Sequence, residues 1–247
     1  MESLDYYSTG QLFYSIIKRI KSMKIVKIIA QWIFILCLPV LLLTASVSLA
    51  ANSVWLYQYG FNKYDVSRVT GLAPAELEKA AEGLIHYFNS SEEYISPTIE
   101  KDSKPFTLFK EREVAHLKDV KELFQLVYKV LLGTGIYALI FIGVSLFWWR
   151  DKRRLGWGLA GGGGLTLVLM AALGMMIALD FDQFFLQFHL LSFANDFWQL
   201  NPATDYLIMM FPQGFWLDAT LFCALGTAAG AIISGGVGWW LKRKYKT

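Results

Sequence analysis

Two histidines have neighbours that could support acid–base chemistry. His116 lies between Glu113 and Asp119, and residues three positions apart on a helix project from neighbouring points of one face. A carboxylate beside an imidazole can fix its tautomer and raise its pKa. Taken alone, however, this cluster favours the commoner interpretation, a solvated charged face.

His189 follows a run of phenylalanines at helical spacing. The run is Phe181, Phe184, Phe185 and Phe188. This i, i+3, i+4, i+7 pattern predicts an amphipathic helix with an aromatic face, which should rest in the membrane interface. Asp182 and Asp196 lie seven residues to either side of His189, roughly on its face if the helix continues.

The same segment, residues 180–218, is aromatic throughout. Eleven of its 39 residues are Phe, Tyr or Trp. Asn201-Pro202 should end the helix, and Tyr206–Phe211 forms a second apolar stretch. Such a segment is typical of a cap on a membrane, or of a pocket wall that receives lipid.

Long apolar runs must position these segments. Hydrophobic residues make up 55% of the chain and charged residues 17%, against about 45–50% and 25% in soluble domains. Four runs without a charged side chain account for the surplus: 32–51, 130–149, 155–179 and 219–241. Each is near the ~20 residues that a helix needs to cross the hydrocarbon core. The sequence therefore predicts an all-α membrane protein with four transmembrane helices.

The basic residues orient these helices. Lys and Arg are concentrated in residues 1–31, 150–154 and 242–247, whereas 180–218 contains neither. Because short cytoplasmic segments carry the excess of basic residues, both ends of the chain should be cytoplasmic. Residues 52–129 and 180–218 should then form a partly helical, aromatic-rich extracellular cap.

The first apolar run also has a second interpretation. Basic residues precede it, and Ser48-Leu49-Ala50 before Ala51 resembles a signal-peptide cleavage site. Its length, about 20 residues, exceeds the ~7–15 of a signal h-region. A retained helix is the favoured interpretation.

The loop 52–129 divides into several elements. Residues 55–63 are aromatic and should lie at headgroup level. Residues 74–89 should form an amphipathic helix opened by Pro74, followed by a flexible turn region over 90–105. A second helix, containing His116, should run into the second span.

Several classes of function are disfavoured by missing motifs. The chain has no Gly-rich phosphate loop, no GxSxG, no zincin-type His/Glu pair and no CxxC. The spans contain no ionisable Asp, Glu, Lys, Arg or His, which argues against a proton-coupled transporter or channel. The basic clusters are typical of segments facing anionic lipid rather than nucleic acid. We expect no metal, no cofactor and no nucleotide.

Two blocks around the histidines carry a family resemblance. FKEREVAHLKDVK (109–121), FHLLSFANDFWQLNPATDYLIMMFPQGFW (188–216) and the upstream YGFNKYDVSRVTGL (59–72) resemble the bacterial lipoprotein intramolecular transacylase family. The resemblance extends over about residues 30–245. It implies a multi-pass protein of the bacterial cytoplasmic membrane, with its active site at the outer face.

The resemblance implies an acyl transfer within one diacylated lipoprotein, surrounded by membrane lipid. The sn-2 acyl chain moves from the glycerol ester to the amine of the N-terminal cysteine, giving the lyso form. His116 and His189 match the catalytic histidines of the family. One would act as general base, and the other would stabilise the oxyanion or return a proton; which does which stays open.

Further residues are candidates for supporting roles. Carboxylates that could orient the imidazoles are Asp119, Glu113, Asp196 and Asp205. Aromatic residues that could line the substrate pocket are Tyr57, Phe185, Phe188, Phe193 and Trp198. His86 has no matching block and is assigned to packing or the surface.

Three other functions remain as alternatives. An acyltransferase that moves a chain between two lipid molecules would show the same sequence features. A non-enzymatic membrane assembly protein would use the cap to bind partners and would tolerate loss of both histidines. A four-helix permease is the weakest alternative, because its spans would lack charge.

Overall fold

The computed structural model describes residues 3–96 and 98–245 and is dominated by helices. In chain order the elements are α1 (Ser3–Ala51), α2 (Val54–Lys63), α3 (Val66–Thr70), α4 (Pro74–Asn89), β1 (Thr98–Lys101), β2 (Lys104–Thr107), α5 (Glu111–Gly143), α6 (Lys152–Leu179), α7 (Phe181–Ser192), α8 (Tyr206–Met210) and α9 (Gln213–Lys244). A π-helical turn, Val144–Trp148, continues α5.

Four of the described helices are long and apolar enough to cross a membrane. These stretches are Met23–Ala51, Glu111–Trp148, Lys152–Leu179 and Gln213–Lys244. The predicted fold class, a helical membrane protein with four spans, is confirmed. The 38-residue stretch Glu111–Trp148 would measure about 57 Å at ~1.5 Å per residue. Since the hydrocarbon core is ~30 Å thick, the charged first turns of α5 extend beyond it.

Glycines allow α6 and α9 to approach closely. A Cβ on Gly163 would lie 2.6 Å from the Ala231 carbonyl oxygen, and one on Gly238 would lie 2.7 Å from the Gly156 oxygen. Small residues at such crossings let two backbones pack directly in lipid, where no hydrophobic force drives helices together. Glycines such as Gly163 and Gly238 therefore serve helix packing.

The two ends of the four-helix bundle differ in chemistry. At one end basic side chains lie over aromatic rings: Lys242 Nζ is 3.2 Å from the Trp157 ring centroid, and Lys27 Nζ is 5.4 Å from that of Trp149. Elements α2–α4, the hairpin, α7 and α8 lie at the other end, which we call the cap. Basic and aromatic pairs of this kind are common at a membrane–water boundary.

The cap has its own hydrophobic core. Its fully buried members include Val66, Ala80, Leu84, Leu108 and Met210, which come from different parts of both loops. The amphipathic helix predicted over 74–89 is confirmed as α4. The cap is therefore a packed unit in which both loops take part.

Two local predictions were wrong. The region 90–105, expected to be a flexible turn, contains β1 and pairs it antiparallel with β2. The hairpin turns at Asp102 and Ser103, both with positive φ, and Glu100 N–H donates to Glu76 Oε2 at 2.7 Å. The helix carrying His189 was expected to continue to Asn201-Pro202, but α7 ends at Ser192.

Candidate active site

The two histidines come from different loops and meet in the cap. His116 lies on the second turn of α5 and His189 near the end of α7. Their ring centroids are 6.3 Å apart, with 31° between the ring planes. The residues are 7% and 8% exposed. The solvated charged face favoured for the His116 cluster alone was therefore wrong.

Aromatic side chains surround both imidazoles. Phe185 and Trp198 approach the His189 ring to 4.4 Å and 5.0 Å between centroids, and Phe188 to 5.4 Å. Phe193 contacts both histidines, at 5.1 Å from His116 and 5.6 Å from His189. Four of the five aromatic residues predicted to line a pocket thus pack around the histidines.

Hydrogen bonding fixes the tautomer of His189. Its Nδ1 lies 2.8 Å from the Phe185 carbonyl oxygen. A carbonyl oxygen can only accept, so Nδ1 carries the proton and Nε2 of the neutral ring keeps its lone pair. His116 differs, since among the described residues its Nδ1 is buried without a hydrogen-bond partner.

Burial keeps both imidazoles neutral. It lowers the pKa of His116 to about 4, helped by the nearby His189 and opposed by Asp119. Burial also lowers the pKa of His189, opposed by its bond to the Phe185 carbonyl. A free imidazole has a pKa of about 6.5, so both rings are uncharged at neutral pH.

Comparison with known proteins shows the family to which this chain, with its pair of histidines, belongs. The sequence model of the family described as lipoprotein intramolecular transacylase Lit matches residues 32–216. The chain belongs to this family. The match includes both histidines and every element of the cap, and it confirms the resemblance carried by the two sequence blocks.

The individual proteins that match this chain have low sequence identity to it. An uncharacterized protein of Aquifex aeolicus (strain VF5) is 28% identical over 135 residues, 54% of this chain and 56% of that protein. The chain therefore spans about half the length of this curated relative. At 23% identity, the solved structure of the membrane integral lipoprotein intramolecular transacylase Lit from Bacillus cereus superposes with a TM-score of 0.75, covering 89% of this chain and 97% of that one.

A variant of the Bacillus cereus protein with one histidine replaced by alanine gives a similar result. Its TM-score is 0.73 at 20% identity, over 92% of this chain and 98% of that one. At these identities the likeness concerns the fold. Over the matched part of the chain, its fold is therefore that of the structures of Lit.

In this member of the Lit family, the four carboxylates predicted to orient the imidazoles have different partners from one another. Asp119 is close enough to His116 to affect its pKa. Glu113 is fully buried but accepts backbone N–H groups of Leu207 at 2.7 Å and Lys110 at 2.9 Å. Burial raises the pKa of Glu113, although those two N–H donors oppose the rise. Glu113 thus connects α5 to α8.

Asp205 and Asp196 likewise bond to other groups. Asp205 accepts the Asn201 N–H at 2.7 Å and pairs with Lys110 Nζ at 2.9 Å. Burial alone would raise the pKa of Asp205, but these donors hold it below its usual value. The Asp196 carboxylate accepts from Gln199 Nε2 at 3.1 Å. Both side chains shape the loop between α7 and α9.

Tyr57 was also expected to line the pocket, and it packs elsewhere. Its ring contacts Phe211 and Phe215 in the cap core, and its hydroxyl donates to the Ala51 carbonyl oxygen at 2.9 Å. Tyr57 therefore joins the cap to the end of α1.

The sequence did not single out two polar residues, Arg112 and Asn195, which connect α5 to the segment that follows α7. Arg112 Nη2 donates to the Asp196 carbonyl oxygen, and Asn195 Nδ2 donates to Asp119 Oδ2 at 2.8 Å. The available signal was the pair Asn195-Asp196, because both residue types favour turns over continued helix. Among the described residues no group of three or more His, Cys, Asp or Glu could hold a metal ion.

Proposed function

We propose that this protein is a lipoprotein intramolecular transacylase acting on a diacylglyceryl-modified lipoprotein. The observation that carries the proposal is the meeting of His116 and His189, from two separate loops, among packed aromatic side chains. Membership of the Lit family supports the same reaction class. The substrate's amine is the nucleophile and its ester the acyl donor, so the protein needs only to orient them and move a proton.

In the proposed reaction the N-terminal cysteine amine attacks the sn-2 ester carbonyl. A C–N bond forms, the bond from that carbonyl to the glycerol oxygen breaks, and one amine proton ends on that oxygen. The products are an N-acyl cysteine and an S-monoacylglyceryl group. Orienting both groups can supply several kcal/mol, since effective molarities reach about 10⁵–10⁸ M.

His189 is proposed as the general base. With its Nδ1–H bound to the Phe185 carbonyl, its Nε2 lone pair is free to take the amine proton. The same nitrogen then returns that proton to the glycerol oxygen. A ring that is neutral before the reaction is ready for this step without first losing a proton.

His116 is proposed to stabilise the oxyanion. A neutral imidazole has one N–H, and a buried N–H is rarely left unpaired. Since Nδ1 of His116 has no partner in the part of the chain that the structure describes, we assign the proton to Nε2, which donates to the developing negative charge. Phe193, in contact with both rings, helps exclude water.

The cap is proposed to face the outside of the cytoplasmic membrane. Basic residues lie at 150–154, around the start of α6, and at 242–244, in the last turn of α9, both at the end of the bundle opposite the cap. The positive-inside rule assigns that end, and with it both termini, to the cytoplasm. The lipid anchor of a lipoprotein in the outer leaflet would then lie level with the histidines.

An isotope crossover experiment tests the function. Purified protein in detergent receives two diacylated lipopeptides, one with deuterated acyl chains on a light peptide and one with the labels reversed. Mass spectrometry of the lyso products should find each acyl chain on its own peptide. Crossed products would instead support transfer between lipid molecules, and absence of N-acylation would refute acyl transfer to the amine.

A further inference from the structure

The segment Phe193–Trp198, which we call the 193–198 turn, supplies part of the wall around the histidines. Phe193 contacts both imidazoles, and Trp198 lies 5.0 Å from the His189 ring. The segment follows the end of α7 and contains neither helix nor strand. Its position therefore depends on contacts with neighbouring elements.

Two polar contacts attach the 193–198 turn to α5. Asn195 Nδ2 donates to Asp119 Oδ2 at 2.8 Å, and Arg112 Nη2 donates to the carbonyl oxygen of Asp196. On α5, Arg112 precedes His116 by four residues and Asp119 follows it by three. All three side chains thus share one helix face, with His116 between the two attachments.

Asn195 uses both ends of its amide. Its Oδ1 accepts the Phe197 N–H at 3.0 Å, which shapes the turn, while its Nδ2 reaches across to Asp119. The contact with Asp119 is partly buried, where hydrogen bonds to a charged acceptor are stronger than in water. One side chain therefore sets both the shape of the turn and its docking on α5.

We infer that Asn195 is a positioning residue for the acyl transfer, and that its bridge to Asp119 holds Phe193 and Trp198 against the two imidazoles. The inference rests on the proposed function. Because the bridge acts on the geometry of the reacting groups, its loss should lower kcat more than it raises KM. Small displacements from reacting geometry can slow a reaction about 10²-fold.

The test compares purified variants in detergent with a synthetic diacylated lipopeptide. Asn195→Ala should lower kcat about 10- to 100-fold, with KM and the thermal unfolding midpoint close to wild type. Gln199→Ala is the matched control, since its amide bonds to Asp196 within the same loop. We expect its kcat to remain within about twofold of wild type, as for surface substitutions generally.

A reciprocal exchange separates positioning from general damage to the fold. Asn195→Asp puts two carboxylates against each other, and Asp119→Asn puts two amides there. The double variant carrying both changes restores an amide–carboxylate pair with its direction reversed. Its kcat should exceed that of Asn195→Asp by at least about tenfold, a coupling of the size seen for residues in contact.

Either of two results would overturn the inference while wild type remains active. One is equal kcat for Asn195→Ala and Gln199→Ala. The other is a double variant no faster than Asn195→Asp. A wild-type protein that makes no lyso product under these conditions would count against the proposed function instead, so the two failures are distinguishable.

Discussion

The membrane bundle and the cap are held together by different means. In the bundle, several polar side chains bond within their own helix: Thr166 Oγ1 donates to the Gly162 oxygen at 2.8 Å, and Thr227 Oγ1 to the Cys223 oxygen at 2.7 Å. The Tyr137 hydroxyl on α5 does cross between helices, to the Ala30 oxygen of α1 at 2.7 Å. In the cap, buried polar groups join separate elements. Glu113 on α5 binds the backbone of α8, and Lys121 on α5 donates to the Glu92 carbonyl at 2.6 Å, beyond the end of α4.

This difference matches two roles: the bundle holds the protein in the membrane, and the cap orients the side chains proposed for the reaction. Lipid gives no partner to an unpaired polar group, so α6 and α9 rely on close backbone packing, and α1 and α5 on side-chain contacts such as that between Phe34 and Phe141. The cap can orient buried polar side chains against each other, and that is what a pair of reacting groups requires. We therefore expect substitutions in the bundle to change stability, and substitutions around the histidines to change rate.

The largest effect is expected from the histidines themselves. His116→Ala and His189→Ala should each reduce lyso-product formation about 10²–10⁴-fold, the usual contribution of acid–base catalysis. Both proteins should insert and purify as wild type does, because neither ring bonds the cap to the bundle. Mass spectrometry of lipopeptide products measures the loss. Wild-type rates from either variant would place the chemistry elsewhere.

Substitution of a glycine in the bundle should lower the stability of the protein rather than its rate. Gly238→Ala would bring its Cβ to 2.7 Å from the Gly156 oxygen, so α6 and α9 must separate, at a cost of about 1–3 kcal/mol. Thermal unfolding in detergent should show the loss, while activity per folded molecule stays unchanged. Gly236→Ala is the control, since a Cβ there meets nothing within 4 Å. Equal unfolding midpoints for the two variants would contradict this packing.

Glu113→Ala should loosen the cap while the bundle stays intact. The change leaves the Leu207 and Lys110 N–H groups without their acceptor, at a cost of about 1–3 kcal/mol. Hydrogen exchange should increase at the amides of α8 and not in the spans. Glu111→Ala, an exposed neighbour on the same helix turn, provides the control. Unchanged exchange in α8 would show that Glu113 does not hold it.

The pKa values of the two histidines test whether water enters the site. Since burial lowers both pKa values, the neutral forms should persist as the pH falls below about 6.5, the pKa of a free imidazole. For His116, protonation should wait until the pH approaches about 4. NMR titration of ¹³C-labelled histidine, with signals assigned from the alanine variants, measures this. A His116 midpoint at or above the free value would mean that water enters the site.

The smallest effect is expected at the third histidine. His86 lies exposed on α4, so His86→Ala should change the free energy of unfolding by no more than about 0.5 kcal/mol and leave the rate unaltered. The same product assay checks it. An inactive but folded variant would indicate that the active site lies near α4 instead.

Several elements could be predicted because local pattern determines them. The spans follow from uninterrupted apolar runs, and α4 follows from Pro74 and the apolar spacing after it. The start of α7 follows from its phenylalanine spacing. In each case the chain buries one face or enters lipid, so neighbouring residues carry the information.

Other features depend on contacts between distant segments. The hairpin forms where Glu76 on α4 accepts the Glu100 N–H, and no local pattern around Pro97 and Pro105 signals that partner. The charged spacing of Glu113, His116 and Asp119 resembles a solvated face, yet α8 and the 193–198 turn cover it. Tyr57 has the composition of a pocket residue but packs in the cap core.

The central claim is that two histidines from separate loops form a single acyl-transfer site. The most direct test is a double-mutant cycle on His116→Ala and His189→Ala, measured as single-turnover rates with excess protein. Residues that act as a unit are strongly non-additive. The double variant should therefore react within about threefold of the slower single variant. A double variant slower by the product of the two separate losses would show that the histidines act independently, and would contradict the claim.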